Sequence, residues 1–125
     1  MTENEISYDI RGAAFKVHST LGPGLLESVY EVALAHELTK MGYVVKSQIG
    51  LPVVYDGIRM DVGYRIDLLI NDLVIIELKS VDALADIHHK QLLTYLKLSG
   101  IKLGLLINFN VSSLNESIVR IVNNL

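Results

Sequence analysis

Cysteine is absent from the 125 residues, and with it go disulfides, thiolate metal sites and cysteine nucleophiles. Metal chemistry, if there is any, is left to hard oxygen ligands. No apolar run approaches the roughly 18 to 20 residues of a membrane span. Met1-Thr-Glu-Asn-Glu5 is acidic and leads into no continuous apolar segment, unlike a secretory signal. A cytoplasmic protein with no membrane association is the expectation. An excess of positive charge is missing too: 11 Lys and Arg stand against 14 Asp and Glu, for a net charge of −3. Sequence-independent binding to a polyanion usually relies on a basic surface, so a nucleic-acid enzyme with this balance needs a local basic patch or a dimer that creates one. Repeats, linkers and low-complexity tracts are lacking. The four histidines, His18, His36, His88 and His89, show no metal-binding spacing. Gly22-Pro23-Gly24 has neither the length nor the lysine of a phosphate-binding loop and reads as a helix-breaking turn.

Half the residues are hydrophobic and a fifth are charged, the balance of a globular chain. The length suits one domain over residues 1–125, burying roughly two-thirds of the unfolded surface. From Glu5 to Leu21, Ile6, Ile10, Ala13, Ala14, Val17 and Leu21 recur at helical spacing. A second helix is predicted from about Leu25 to Met41, with Leu26, Val29, Tyr30, Ala33, Leu34 and Leu38 as its apolar stripe and Gly42 as its cap. Tyr43 to Val54 reads as a long, bent strand, and Asp56-Gly57 as a tight return. Tyr64 to Ile70 and Leu73 to Lys79 are two further strands pairing antiparallel around Asn71-Asp72. Asp82 to Ser99 returns to helical period with Leu84, Ile87, Leu92, Leu93 and Leu96 inward and Gly100 as its stop. Lys102 to Asn108 is a strand buried on both faces, and Ile118, Val119, Ile121 and Val122 read as a short final helix capped by Ser113 or Asn115. The resulting fold class is α/β (α+β): a mixed β-sheet flanked by helices, its last crossover running through a helix.

Chemistry concentrates at Leu73-Val-Ile-Ile-Glu-Leu-Lys-Ser80. Side chains alternate faces along a strand, so Glu77 and Lys79 project together at the end of an apolar run. Asp67 lies in the neighbouring strand. With Asn71 and Asp72 alone as the loop, Asp67 pairs with Ile76 and Glu77 falls on the opposite face. A three-residue loop pairing Ile70 with Val74, or a bulge, puts the two acids together. The irregular version is predicted, because it makes a site. Two carboxylates about 4 Å apart repel by about 4 kcal/mol at an effective dielectric near 20. A divalent cation removes that penalty, and oxygen-only ligands favour Mg²⁺ or Mn²⁺. Lys79 beside such a cation could orient a water or stabilise a phosphorane-like transition state, making phosphodiester hydrolysis the matching reaction class. A structural salt bridge from Lys79 to Asp67 or Glu77 accounts for the same spacing equally well. Glu27 and Tyr30 share a face of the second helix, where Glu27 also suits an ordinary first-turn position. His88, Gln91 and Tyr95 form a polar stripe on the later helix, more often a solvated face than the wall of a site.

Val17-His18, Leu21-Gly-Pro-Gly-Leu-Leu-Glu-Ser-Val-Tyr30, Arg65-Ile-Asp67, Glu77-Leu-Lys79, Gln91-Leu-Leu-Thr-Tyr95 and Gly104-Leu-Leu-Ile-Asn-Phe109 together resemble the GxxExxY protein family, which is grouped with the PD-(D/E)xK nuclease superfamily. The resemblance implies a restriction-endonuclease-like core. It implies Glu27, Asp67 and Glu77 as acidic residues of a catalytic metal site, Lys79 as the catalytic amine and the Leu78 carbonyl as a further ligand. It also implies that Gln91, Tyr95 and Tyr30 border the site or contact substrate. Arg65-Ile66 stands where the superfamily motif has a proline, a loose position. The expectation is a Mg²⁺- or Mn²⁺-dependent nuclease acting on DNA or RNA, with a second subunit or partner protein adding grip. A catalytically silent module that binds a protein or nucleic acid is the alternative.

Overall fold

The computed structural model describes residues 1–125. Helix α1 spans Glu3–Leu21. The Thr2 hydroxyl accepts a hydrogen bond from the Glu5 amide, so the helix starts earlier than its apolar pattern. Helix α2 spans Glu27–Lys40 and buries only Tyr30, Leu34 and Leu38, while Leu26 and Val29 of the predicted stripe are exposed. Its end is a Schellman motif: the Gly42 amide donates to the Thr39 carbonyl and the Tyr43 amide to the Leu38 carbonyl, with Gly42 at φ +96°.

The predicted long strand divides into β1, Val45–Gly50, and β2, Val53–Tyr55, which belong to different sheets. Pro52, with no amide to donate, sits at the break. Strand β2 pairs only with β3, Ile58–Met60, across Asp56 and Gly57, both of positive φ as a hairpin turn of this length requires. Strands β4, Arg65–Ile70, and β5, Val74–Lys79, complete the antiparallel part. Helix α3, Asp86–Ser99, then crosses to β6, Leu103–Asn108, which runs parallel to β5. Helix α3 starts four residues later than expected and leaves Ile87 exposed; Leu92, Tyr95 and Leu96 are its buried side.

The predicted final helix is instead a strand. Residues Ile118–Val122 form β7, antiparallel to β6, and complete the sheet order β1-β4-β5-β6-β7. Five residues, four of them β-branched, satisfy either period, and the open edge of β6 decides in favour of pairing.

One core lies between α1, α2 and a face of the sheet, with Leu68, Ile70, Val74, Ile76 and Leu78 among its members. Another lies between α3 and the opposite face, around Leu69, Ile75, Leu92, Tyr95, Leu96 and Leu106. Alternation along β5 therefore turns Glu77 and Lys79 toward the α3 side. None of the helices is long and apolar enough to cross a membrane.

At Gly104 the Leu92 side chain of α3 packs directly on the β6 backbone: a Cβ there would stand 2.9–3.0 Å from it. Gly104→Ala is expected to lower unfolding free energy by about 1–3 kcal/mol in urea denaturation. The loss should shrink in a Leu92→Ala background, and additive effects would mean that the two do not press on each other.

Candidate functional site

The turn after β4 decides the site. Ile70 pairs with Val74 across the three residues Asn71, Asp72 and Leu73; the ladder runs to Leu68 opposite Ile76, and Asp67 and Glu77 are the next residues of the two strands. Asn71 and Asp72 both have positive φ, and the Leu73 amide donates to the Ile70 carbonyl. These are small polar residues that tolerate left-handed backbone, and Leu73 is the extra residue that makes the register odd. The Asn71 side chain also accepts from the Val44 amide at 2.8 Å, tying the turn to the start of β1.

The register brings the two acids into contact through the backbone. The Asp67 amide donates to Glu77 Oε1 at 3.1 Å, and the Leu78 amide donates to Asp67 Oδ2 at 2.9 Å. Glu77 is only 5% exposed. Burial first, and then the charge of Asp67, push its carboxyl up to about 8. The salt-bridge alternative is not what forms: five ion pairs occur in the chain, and none involves Asp67, Glu77 or Lys79. The two acids thus face each other without an ion pair to either, although the Lys79 charge acts on Glu77 and opposes the rise of its pKa. Leu78 turns its side chain into the core, so only its backbone is available to a ligand.

Helix α2 is anchored beside the end of β5. The Ser80 hydroxyl donates to the Leu25 carbonyl at 2.7 Å. Tyr30, expected at the border of the site, is fully buried, with its ring stacked on Phe109 at 4.5 Å. Its hydroxyl donates to the Gly22 carbonyl and accepts from the Leu25 amide. It shapes the Gly22–Leu25 loop and offers no surface to a substrate. Glu27 is the first residue of α2 and is exposed in a cleft of about 380 Å³ shared with Ser28 and Ser80. It does not close with Asp67 and Glu77 into a compact three-acid cluster, since no three His, Cys, Asp or Glu side chains in the chain gather in that way.

One turn along α2 is an acid that the residue spacing did not single out. Gln48 Nε2 lies 2.7 Å from Glu31 Oε1 and 3.5 Å from Asp67 Oδ1, so a single amide joins the two carboxylates. Burial, followed by the charges of Asp67 and Glu27, raises the Glu31 pKa, with the Gln48 hydrogen bond opposing. Gln48 holds φ +53° inside β1, where left-handed backbone is rare for a side chain of this kind. Its i+4 spacing from Glu27 was the one available sign of Glu31; nothing in the sequence marks Gln48 as left-handed.

On the α3 side, Gln91 and Tyr95 line a cleft of about 440 Å³ with Tyr64 and Lys90. Burial and then the charges of Glu77 and Asp67 raise the Tyr95 hydroxyl above its ordinary value, which puts it within electrostatic reach of both acids. His88 turns back on its own helix, where Nδ1 accepts from the Ala85 amide.

Comparison with protein families matches residues 4–121 to the PD-(D/E)XK nuclease superfamily. No curated protein and no solved structure gives a match.

The Glu77 carboxyl is raised from 4.5 in the folded chain, so its protonated form favours folding. That stabilisation is complete below about pH 4.5 and is lost as pH rises through about 8. Glu77→Gln is expected to remove this component, worth on the order of a few kcal/mol. Urea denaturation at about pH 5 and pH 8 reads the difference. Equal pH dependence in parent and variant would mean that Glu77 carries no such shift.

Proposed function

The chain belongs to the PD-(D/E)XK nuclease superfamily, and from that premise we propose that it is a metal-dependent nuclease hydrolysing phosphodiester bonds in DNA or RNA. The single observation that carries this is the pair Asp67 and Glu77, in contact through backbone amides and in no ion pair. The donor set fits a hard divalent cation: carboxylate oxygens and a backbone carbonyl, with no thiolate in the chain. Asp67, Glu77 and the Leu78 carbonyl would hold Mg²⁺ or Mn²⁺, with Glu27 or Glu31 as the acid that α2 directs at the same place. When bound, the ion supplies Lewis-acid charge at the phosphate and a more acidic water.

The chain's own residues do the rest. Lys79, in no ion pair, donates to the attacking water or to the phosphate oxygen as negative charge develops there. The ties from Ser80 to Leu25 and from Tyr30 to Gly22 hold α2 against the end of β5. Gln91 and Tyr95 border the substrate strand. With a net charge of −3, grip on a long polyanion comes from a second subunit or a partner protein.

Purified protein incubated with single-stranded, duplex and branched nucleic acids plus Mg²⁺ or Mn²⁺ is expected to cleave at least one of them. Asp67→Ala should abolish cleavage, and Lys79→Ala should lower its rate by roughly 10²–10³-fold. Cleavage that persists in both variants points to a contaminant and sinks the catalytic assignment. Binding without cleavage in the parent supports the silent-module alternative. In parallel, Mn²⁺ is expected to raise the melting temperature of the parent but not that of Asp67→Ala.

A further inference from the structure

The cleft beside α3 is larger than a metal-and-water site requires. At about 440 Å³ it falls in the range of roughly 300–1,000 Å³ typical of small-molecule pockets. Its walls are aromatic and apolar. Tyr95 forms the floor at 5% exposure, while Tyr64 is 45% exposed and Ile87 stands open to solvent. The two tyrosine rings lie 6.1 Å apart at 59°, an edge-leaning contact that steadies Tyr64. That spacing leaves no slot between the rings for a third, so a planar ligand rests on the open side of Tyr64. The Gln91 amide and Tyr95 hydroxyl make no hydrogen bond within the chain, and no buried side-chain polar atom lacks a partner, so both open to the cleft. Lys90 is the one cation there, and it already faces Asp86 at 3.7 Å.

An apolar cleft with an exposed aromatic face, a free amide and a free hydroxyl suits a nucleobase, whose flat surface stacks and whose edge forms hydrogen bonds. It suits duplex poorly. Bases in a duplex are already stacked and paired, and duplex affinity comes from many phosphate contacts, whereas the lining of this cleft supplies a single lysine that already faces Asp86. The cleft shares Tyr95 with the face on which Glu77 lies, so a base held there belongs to a nucleotide next to the acids.

We propose that the Tyr64–Tyr95 cleft takes an unpaired nucleobase, and that the protein therefore prefers single-stranded segments over intact duplex. The proposal takes its substrate class from the nuclease reading, but its binding test needs neither metal nor cleavage.

Fluorescence anisotropy in EDTA-containing, low-salt buffer compares a labelled oligothymidylate with a blunt duplex of equal length. The expected result is at least about tenfold tighter binding of the single strand. Tyr64→Ala should weaken it by about 5- to 100-fold, while Tyr64→Phe stays within about twofold, because the ring and not the hydroxyl stacks. Gln91→Ala, which changes no packed ring, should weaken it several-fold at an unchanged melting temperature. This second variant keeps the test decisive if Tyr64→Ala disturbs the fold. Equal affinity for duplex, or parent-like binding by both Tyr64→Ala and Gln91→Ala, overturns the proposal. Tyr64-dependent single-strand binding by a protein that never cleaves leaves this cleft standing and removes the nuclease. Cleavage of duplex and single strand alike, unaffected by Tyr64→Ala, does the reverse.

Discussion

The structure depends on two carboxylates held together by backbone amides. Asp67 receives the Leu78 amide and Glu77 receives the Asp67 amide, so each acid is held by the backbone of the other's strand. Such an arrangement is costly for a folded chain, because a buried carboxylate beside a second one is disfavoured in its charged form. The raised pKa of Glu77 is the measure of that cost. A protein selected for stability alone would place an apolar residue there or give the acid a cation from its own side chains. This chain does neither, and Lys79, two residues on, remains unpaired.

Much of the surrounding architecture keeps that pair in place. The turn at Asn71–Leu73 sets the register, and the parallel pairing with β6 buries β5 on its other side. The buried Asn108 side chain receives the Val81 amide and donates to the Val81 carbonyl, which fixes the chain just beyond Ser80. Ser80 in turn holds the α1–α2 loop, whose shape Tyr30 sets from within the core. The acids of α2 are thus tied to the end of β5 through side-chain hydrogen bonds to loop carbonyls, which position without adding charge. Gln48 performs the same service between Glu31 and Asp67, in a backbone conformation that a strand residue does not adopt freely.

Much of this was legible along the chain. The helical periods of α1 and α2, the Asp56-Gly57 hairpin, the Gly100 stop and the strand carrying Glu77 and Lys79 are local patterns. Even the odd register at Asn71–Leu73 followed from requiring both acids on one face, and Ile70 does pair with Val74. The failures have a common cause. Ile118–Val122 fits either period, and only the open edge of β6 makes it a strand. Tyr30 has the spacing of a site residue, but Phe109, nearly eighty positions away, draws its ring into the core. Ile87 fits the inward stripe of α3, yet the helix starts too late and is turned so that it faces solvent.

The sequence by itself determined which residues could do chemistry: two acids and an amine around the β4–β5 hairpin, a polar stripe on α3, and no sulfur to compete for a metal. Those are properties of residue type and short-range period, which the chain carries wherever it folds. Only the tertiary structure decided that Asp67 and Glu77 meet without an ion pair, that Glu31 joins them through Gln48 while Glu27 stays exposed, and that Tyr64 and Tyr95 open a cleft beside them. Each of these depends on contacts between residues ten to thirty-one positions apart or on a backbone angle that neighbours impose, and neither propensity nor spacing encodes such contacts.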